Sequence, residues 1–252
     1  MKEKLVSVVL TYYKKKNFIQ KTINSLLNQS YKNYELICVY DDNNLDELKF
    51  IEKQLSKIKR VKLIINKKNL GVAESRNQAI KYTKGKYIAF LDSDDLWKKN
   101  KLKDQLEIME KNKLDITCTS YFIIDESNRK LGIRPVNEKI SYNQISKKCD
   151  IGLSTVIIKS KIMKKFKFPN LKTQEDLGLW LSLLRAGYNF FPIKKSYSSW
   201  RKTKKSLSSN TFQKLKDAFK LFYFYENKNL IITIYSVVIL SLNKFIKLKS
   251  AN

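Results

Sequence analysis

Residues 5–42, LVSVVLTYYKKKNFIQKTINSLLNQSYKNYELICVYDD, decide the fold. The stretch opens with a continuous apolar, β-branched run at 5–10, and after a lysine-rich turn its apolar residues recur at helical spacing as far as Leu27. A second apolar run at 35–40 ends in Asp41 and Asp42. The change from a continuous apolar run to helical spacing, and then back to an apolar run, predicts a strand, a helix and a second strand. Such a βαβ unit joins parallel strands.

The same alternation continues along the first half of the chain. Strands that alternate with helices of about ten residues or more predict a mostly parallel sheet covered on both faces. The second half changes character, with a hairpin, a helix in the segment TQEDLGLWLSLLRAG and helices after residue 210. The predicted elements are helices at 45–58, 72–83, 98–111 and 173–187, and strands at 61–65, 86–91, 116–124, 130–134, 154–158, 188–193 and 197–201.

The composition indicates a folded, strongly basic protein. The chain has 252 residues, 43% of them hydrophobic, which is enough for a substantial core. Lys and Arg total 51 against 23 Asp and Glu, and a net charge of +28 suits nucleic acid, an anionic membrane or a polyanionic substrate. The excess of Lys also accompanies many Asn, Ile, Tyr and Phe, which share AT-rich codons, so genome composition is an equal explanation.

The missing residue types exclude several kinds of chemistry. The chain has no histidine, which removes imidazole acid–base catalysis and imidazole metal sites. Its cysteines, Cys38, Cys118 and Cys149, are too few and too scattered for a disulfide framework, and we expect reduced thiols in a cytosolic protein. The first apolar run is short and reads as a strand rather than as a signal peptide.

Polar residues follow each of the first four predicted strands. Each group alone is what a turn or a helix cap also looks like. Because ligands of parallel α/β sheets bind beyond the carboxyl ends of the strands, all four together predict a binding site at one sheet edge. The four groups are Thr11 and Tyr12, Asp41 and Asp42, residues 66–71, and residues 92–95.

The last of these groups crowds three carboxylates into the segment YIAFLDSDDLW, residues 87–97. Asp92, Asp94 and Asp95 would repel one another unless a cation lay among them. Oxygen ligands without histidine or thiolate favour Mg²⁺ or Mn²⁺, and Mg²⁺ completes its shell with water and substrate phosphates. The alternative is that Asp94 or Asp95 caps a helix that begins near Leu96.

These motifs, taken in order, resemble the family 2 inverting glycosyltransferases of the GT-A fold. The similarity runs from the opening stretch through NLGVAESRNQAI, FLDSDDLW and QEDLGLWLSLLRAG to WRKTKKSLSSN, or about the first 210 residues. It is strongest to bacterial enzymes that build capsule, teichuronic-acid or lipopolysaccharide glycans. Leu10 stands where the family often has proline, and Asn43-Asn44 replaces the usual Gly-Ser.

The resemblance implies a fold and a domain organisation. The fold class is α/β, a GT-A domain whose Rossmann-like, nucleotide-binding mixed sheet is flanked by helices. Residues 1–209 would form this domain, with a nucleotide-sugar half at about 1–112 and an acceptor half at about 113–209. Residues 210–252 would be a C-terminal helical extension.

The resemblance also assigns roles to residues. Asp41 or Asp42 would accept a hydrogen bond from the base imide, which implies a uridine donor, and Asp94 would be the main ligand of Mn²⁺ or Mg²⁺. Asp176, the second acid of the ED pair, would be the general base, although acids also favour helix N-termini for other reasons. The remaining nucleotide contacts would be Thr11, Tyr12, Arg76, Asp92 and Ser93.

The implied reaction is metal-dependent transfer of one sugar, with inversion, from a UDP-sugar to a glycan or lipid-linked glycan acceptor. The QxxRW pattern of processive synthases is absent from the sequence, which favours single additions. Arg201 and the following loop KTKKSLSS would close over the diphosphate, or the loop is simply a solvated basic segment.

The apolar segment at 230–242 is too short to span a membrane. Drawn as a helix, it has an apolar face and a polar face, which is typical of a helix lying in an anionic membrane surface. We expect peripheral attachment to the inner face of the cell membrane; the alternatives are packing on the catalytic domain or in a homodimer. The polar face carries Thr233, Ser236, Asn243, Lys244 and Lys247, and the apolar face Ile231, Ile234, Val238 and Leu242.

Two other functions compete with this interpretation. A carboxylate-metal nuclease or nucleotidyltransferase would also gather acids around Mg²⁺ and would suit the positive charge. A non-enzymatic nucleic-acid or membrane-binding protein would suit it too. Neither explains the ordered set of motifs, and the acids occupy the edge that a polyanion would approach, so we expect no nucleic-acid partner.

Overall fold

The computed structural model describes residues 4–203 and 210–249, with side chains as far as residue 243. Within these ranges it is an α/β fold, and the strands and helices follow the predicted alternation in the first half of the chain. The strands are β1 Val6–Tyr12, β2 Tyr34–Tyr40, β3 Val61–Ile65, β4 Tyr87–Phe90, β5 Leu96–Trp97, β6 Ile116–Ile124, β7 Lys130–Arg134, β8 Ile157–Lys159 and β9 Phe190–Arg201. The helices are α1 Lys16–Leu27, α2 Leu45–Leu55, α3 Val72–Ile80, α4 Lys101–Lys111, α5 Tyr142–Lys147, α6 Ser160–Met163, α7 Glu175–Arg185, α8 Thr211–Lys220 and α9 Leu230–Lys249.

One mixed sheet contains all of these strands. Its order is β3-β2-β1-β4-β8-β6-β9-β5, and β7 pairs with β6 outside this path. The first four strands of the order are parallel, whereas β8 is antiparallel to both of its neighbours. The carboxyl ends of β1 to β4 therefore meet at one edge, as the sequence predicts.

The continuous apolar character of β1, β2 and β4 reflects burial on both faces of the sheet. Alternate residues of each strand point to opposite faces. Val9 and Ile37 belong to the core on one side, together with α7, while Val8 and Leu36 belong to the core on the other side, beneath α1 and α2. The parallel half of the sheet is thus held between two layers of helices.

The segment after the crowded acids differs from the prediction. No helix begins near Leu96; instead Leu96 and Trp97 form the short strand β5, which pairs with Ser199 and Ser198 of β9. The next helix, α4, begins only at Lys101. The expectation that Asp94 or Asp95 caps a helix here is therefore wrong, because the backbone of this segment is hydrogen-bonded in the sheet.

Two further boundaries also differ. The segment at 154–158 is a 3₁₀ turn, Leu153–Thr155, followed by β8. The two short strands expected at 188–193 and 197–201 are one strand, β9, whose pairing with β6 shifts register on either side of Ser120. A register shift of this kind bends a strand without ending it, which hides its continuity from the sequence pattern.

The C-terminal helix α9 packs with its polar face inward. Thr233 is fully buried and donates a hydrogen bond to the backbone carbonyl of Lys228, and Ser236 is also buried. Ile231 is 80% exposed, and Ile234, Val238 and Leu242 are also exposed. Both predicted faces of α9 are present, and the apolar face points to the exterior of the protein. The side chains of Lys244 and Lys247 are not among those that the structure describes. Among the described residues, the helices lack the combination of length and apolarity that crossing a bilayer requires.

A buried lysine supports the sheet below β5. The Lys101 side chain is fully buried, lies 4.7 Å from the centroid of the Trp97 ring and donates to Oε1 of Gln105 at 2.8 Å. It approaches the carbonyl oxygen of Thr155 at 3.5 Å. Burial lowers the pKa of Lys101 to about 7, because a charged ammonium loses its hydration there.

This lysine makes stability depend on pH in an alkaline window. Between about pH 7 and pH 10, Lys101 is deprotonated when folded and protonated when unfolded, so its contribution to the free energy of unfolding rises with pH by up to about 1.4 kcal/mol per pH unit. Urea unfolding from pH 7 to about pH 8, below the pH at which the cysteines of the unfolded chain ionise, should show this slope, and Lys101→Met should abolish it. Lys103→Met, which changes an exposed lysine of the same helix, is the control and should keep it. Parallel curves for the wild type and Lys101→Met would contradict the assignment.

Candidate active site

The residues after β1 to β4 form the candidate site. Asp41 and Asp42 follow β2, residues 66–71 follow β3, and residues 92–95 follow β4. The start of α7 lies against the same edge, because Arg76 of α3 contacts Glu175 there. The topology therefore brings every motif singled out in the sequence to one region, apart from the loop at 204–209, which lies outside the described residues.

Asp41 organises the loop after β3. Its carboxylate is buried and accepts hydrogen bonds from the amide groups of Asn66 and Asn69, at 2.7 and 3.2 Å. It also accepts from the backbone N–H groups of Leu70 and Gly71, at 2.8 and 2.9 Å. Gly71 has φ +84°, a conformation that favours glycine. Four donors occupy both oxygens of Asp41, so this carboxylate fixes the loop.

Asp42 has a different environment. One carboxylate oxygen accepts from the backbone N–H of Asn43 at 2.8 Å. The other, Oδ2, is buried and has no hydrogen-bond partner within the described part of the chain. A buried carboxylate oxygen without a donor is costly, so this atom calls for an N–H or O–H group that a ligand could provide.

The two residues after β1 differ in exposure. Thr11 is 9% exposed, whereas Tyr12 is fully buried, with its ring stacked on that of Tyr40 at a centroid distance of 5.3 Å. The Tyr12 hydroxyl donates to Oε2 of Glu47 at 2.5 Å, and burial raises the pKa of Tyr12. The structure places the Tyr12 ring beneath the edge, and the neighbouring Tyr13 is the exposed aromatic side chain of this loop.

Arg76 joins the acids after β4 to the start of α7. Its guanidinium is buried, with Nη2 2.7 Å from Oδ1 of Asp92 and Nη1 2.5 Å from Oε1 of Glu175. It also lies 5.4 Å from the centroid of the Phe168 ring. Burial opposes its charge, but the two carboxylates outweigh this and raise the pKa of Arg76. Glu175 was not among the predicted site residues. Its adjacency to Asp176 was the only signal in the sequence that could have placed it in the site.

The start of α7 carries the predicted base. Asp176 accepts from the backbone N–H of Leu177 at 2.7 Å, and burial raises the pKa of its carboxyl group. Burial also raises the pKa of Glu175 to about 7, despite the nearby Arg76. Gln174, just before the helix, has φ +63°, a left-handed conformation that is strained for a residue other than glycine. Such strain is often found at functional sites.

The predicted metal ligand pairs with a lysine. Oδ2 of Asp94 lies 2.6 Å from Nζ of Lys15, which precedes α1, and only 17% of the Asp94 side chain and 20% of the Lys15 side chain are exposed. Burial raises the pKa of Asp94, and Lys15 opposes that shift. The crowded acids predicted a metal as their counter-ion, and the structure adds Lys15, one of three consecutive lysines, as a protein counter-ion of Asp94.

Hydrogen bonds join the segment at 92–95 to α1 and β9. Asp95 is buried and accepts from the backbone N–H of Arg201 at 3.0 Å, while the carbonyls of Ser93 and Asp95 accept from Thr22. Nε of Arg201 donates to the carbonyl of Asp94 at 2.8 Å. Nη2 of Arg201 is buried and lacks a hydrogen-bond partner among the described residues.

The donor set of the edge suits a hard divalent cation. Within residues 4–203 and 210–249, no three His, Cys, Asp or Glu side chains are grouped so as to hold a metal ion. Mg²⁺ and Mn²⁺, however, need only one or two protein carboxylates when substrate phosphates complete the shell. Asp94 and Asp92 provide such oxygens at partly exposed positions. The residues therefore fit a metal that binds together with a diphosphate.

Comparison with known proteins identifies the family. Residues 7–171 match the model of glycosyl transferase family 2. The chain is 38% identical over 218 residues to the Escherichia coli UDP-Glc:alpha-D-GlcNAc-diphosphoundecaprenol beta-1,3-glucosyltransferase WfgD, covering 86% of this chain and 84% of that protein. It is 35% identical to the putative teichuronic acid biosynthesis glycosyltransferase TuaG of Bacillus subtilis, covering 84% of each. The crystal structure of S. aureus TarS 1-349 with UDP-GlcNAc superimposes with a TM-score of 0.68 at 21% identity, over 94% of this chain and 71% of that one.

The chain therefore belongs to glycosyl transferase family 2 and is a glycosyltransferase. The predicted family, enzyme class and GT-A fold are confirmed. The nuclease and non-enzymatic alternatives are not retained, because the match at 7–171 covers β1 to β4 and the loops after them.

The Arg76 bridge should contribute strongly to stability. Arg76→Met leaves the carboxylates of Asp92 and Glu175 without their shared cation, and breaking a buried ion pair costs about 3–5 kcal/mol. Urea unfolding at pH 7 measures this loss. The control is Arg129→Met, since Arg129 pairs with Asp125 on the surface with 82% of its side chain exposed, and should cost less than about 1 kcal/mol. Equal losses in the two variants would refute a structural role for the bridge.

Proposed function

We propose that this glycosyltransferase moves one sugar from a UDP-sugar to a lipid-linked glycan acceptor, with inversion and with a divalent cation. The E. coli relatives WfgD and WfaP, both named as transferring from UDP-Glc to a GlcNAc-diphosphoundecaprenol acceptor, support the donor and acceptor classes. In this proposal the nucleotide-sugar half spans about residues 1–112 and the acceptor half about residues 113–209, and the C-terminal extension begins at residue 210. The donor sugar and the linkage are left open by this proposal.

The unpaired oxygen of Asp42 carries the uridine assignment. Asp41 already has four N–H donors, so Asp42 is the carboxylate with an acceptor to offer. The imide N–H of uracil is a donor that cytosine and adenine lack at the equivalent ring nitrogen; guanine has a similar ring N–H. The choice between Asp41 and Asp42 therefore falls on Asp42.

Matched variants of the two acids test this choice. Asp42→Asn should weaken UDP binding by about 10- to 100-fold, because it removes a hydrogen bond to a charged acceptor, and should leave the free energy of unfolding unchanged. Asp41→Asn should lower the free energy of unfolding by about 2 kcal/mol, because its carboxylate fixes the loop. Calorimetric titration with UDP, GDP and CDP, together with urea unfolding, separates the two effects. UDP binding unaffected by Asp42→Asn would refute the assignment.

Asp94 and Asp92 are the residues that would hold Mn²⁺ or Mg²⁺. The ion, when bound, stabilises the negative charge that develops on the departing nucleoside diphosphate. Arg76 orients Asp92 through its ion pair, and Arg201 fixes the backbone of Asp94. The unpaired Nη2 of Arg201 supports its proposed contact with the diphosphate. Ser93 and Thr11 contribute to the nucleotide side of the edge, and Tyr12 supports it from below.

Asp176 is the proposed general base. It lies at the start of α7, which is anchored by the buried Leu177, Trp180 and Leu181. Its carboxylate takes the proton from the acceptor hydroxyl while that oxygen attacks the anomeric carbon. The raised pKa brings the base nearer to neutral pH, where proton transfer is most efficient. Attack opposite the leaving diphosphate inverts the anomeric centre, as in inverting glycoside hydrolysis.

Replacing the base should separate transfer from binding. Asp176→Asn should lower the transfer rate by about 10² to 10⁴ and leave the affinity for UDP nearly unchanged, because the uridine contacts lie on other strands. Mass spectrometry of the product measures the transfer rate, and titration with UDP measures the affinity. Nuclear magnetic resonance of the wild-type product should show the anomeric configuration opposite to that of the donor. Retention, or an equal loss of UDP affinity, would rule out this mechanism.

We include attachment to an anionic membrane surface in the proposal. The exposed apolar side chains of the C-terminal region form what we call the apolar surface, and α8 adds Lys214, Lys216 and Lys220. A protein surface that combines exposed apolar side chains with basic residues favours binding to anionic lipid. Such attachment would bring the enzyme close to a lipid-linked acceptor. The proposed location is the inner face of the cell membrane. The apolar surface consists of Phe212, Leu215, Tyr223, Phe224, Tyr225, Leu230, Ile231, Ile232, Ile234, Tyr235, Val238 and Leu242.

Charge placed on the apolar surface should release the protein. Phe224→Glu with Ile231→Glu should weaken binding to phosphatidylglycerol vesicles by at least about 100-fold, since each residue contributes about 1.5–3 kcal/mol when buried in lipid. Leu45→Glu, which alters an exposed leucine of α2, is the control. Cosedimentation measures binding, and analytical ultracentrifugation measures association. Vesicle binding that is unchanged in the double variant would contradict membrane attachment. So would a wild-type protein that does not bind vesicles and instead forms a homodimer that the double variant dissociates.

A further inference from the structure

Lys15 and Asp94 form an ion pair at the point where the site must accept a metal. Lys15 comes from the turn between β1 and α1, and Asp94 from the end of the neighbouring strand β4. Their charged atoms are 2.6 Å apart and both side chains are largely buried. The pair is thus held at the sheet edge between two adjacent strand ends.

Among the described charges of the edge, the Lys15–Asp94 pair is the one that can exchange partners. Arg76 is held by two carboxylates, and Asp95 accepts from the backbone of Arg201. Lys15 has Asp94 as its carboxylate partner, and its ammonium stands on a flexible four-carbon stem with 20% of the side chain exposed. A lysine can therefore leave its carboxylate here without disturbing the backbone, whereas Arg76 cannot.

We propose that Lys15 is a counter-ion switch: it occupies Asp94 in the absence of substrate and moves to the nucleotide diphosphate when the metal binds. A divalent cation at Asp94 lies next to an ammonium and is repelled by it. When the diphosphate arrives, it brings negative charge to the same edge and gives the ammonium a new partner. Lys15 thus opposes binding of the metal alone and favours binding of the metal together with the diphosphate.

The consequence is a coupling between the two ligands. In the wild type, UDP should strengthen Mn²⁺ binding, and Mn²⁺ should strengthen UDP binding by the same factor, since such coupling is reciprocal. Removing the charge of Lys15 removes one source of that coupling. The inference rests on the proposed function, because it takes Asp94 as the metal ligand and a nucleoside diphosphate as the donor.

The test is Mn²⁺ titration followed by electron paramagnetic resonance, with and without saturating UDP, on the full chain. Lys15→Met should bind Mn²⁺ alone about tenfold more tightly than the wild type, and the factor by which UDP strengthens Mn²⁺ binding should fall by about tenfold. Lys15→Arg keeps the charge and should resemble the wild type. Lys16→Met removes the adjacent exposed lysine, which lies near the Phe50 ring rather than Asp94, and should change neither value.

Two results overturn the switch. Mn²⁺ binding that is unchanged or weaker in Lys15→Met means that Lys15 does not compete with the metal. A coupling factor that is the same in Lys15→Met and the wild type means that the ammonium does not pass to the diphosphate. If UDP binds while Mn²⁺ binds neither the wild type nor Lys15→Met, the metal assignment itself fails and the switch fails with it.

Discussion

The ion bridge made by Arg76 is the constraint on which the site depends. It links Asp92, at the end of a strand in the parallel half of the sheet, to Glu175, at the start of α7. These residues are 83 positions apart in sequence (175 − 92), and α7 also presents Asp176. The bridge therefore sets the position of the proposed base relative to the proposed metal ligands. The Arg76 guanidinium and Glu175 are buried at one end of the bridge, whereas 29% of the Asp92 side chain is exposed at the other.

Most charges of the edge have partners within the protein, and the exceptions indicate the ligand. Asp41 is saturated by four N–H groups, and Asp95 holds the end of β9. Within the described part of the chain, Asp42 retains a buried oxygen without a donor, and Arg201 a buried nitrogen without an acceptor. These unpaired atoms match a ligand that brings both an N–H donor and anionic oxygens, as a uridine diphosphate does. A preorganised site of this kind spends little binding energy on rearrangement.

The sequence predicted the parallel half of the fold and the edge that carries the site. Continuous apolar runs and helical spacing are local signals, so β1 to β4 and the helices between them were found within a few residues. The short strand β5 was mistaken for a helix, because two residues carry no periodicity and are fixed by pairing with β9, about 100 residues away.

The partners of the acids could not be read from the sequence. Arg76 and Glu175 are separated by 99 positions, and one lysine among Lys14, Lys15 and Lys16 has no local feature that assigns it to Asp94. The two faces of α9 were predicted, but which face turns inward depends on packing. Thr233 and Ser236 face the protein, and the apolar side chains remain outside.

The central claim is that this sheet edge binds a uridine diphosphate sugar. The most direct measurement is the release of nucleoside diphosphate from a panel of UDP-, GDP- and ADP-sugars in the presence of Mn²⁺, since water can attack a bound donor when no acceptor is supplied. We predict turnover of at least one UDP-sugar, and turnover about 100-fold slower with every ADP-sugar, because adenine lacks the ring N–H that would pair with the buried oxygen of Asp42. Preferred turnover of a GDP- or ADP-sugar, or none with any UDP-sugar, would contradict it.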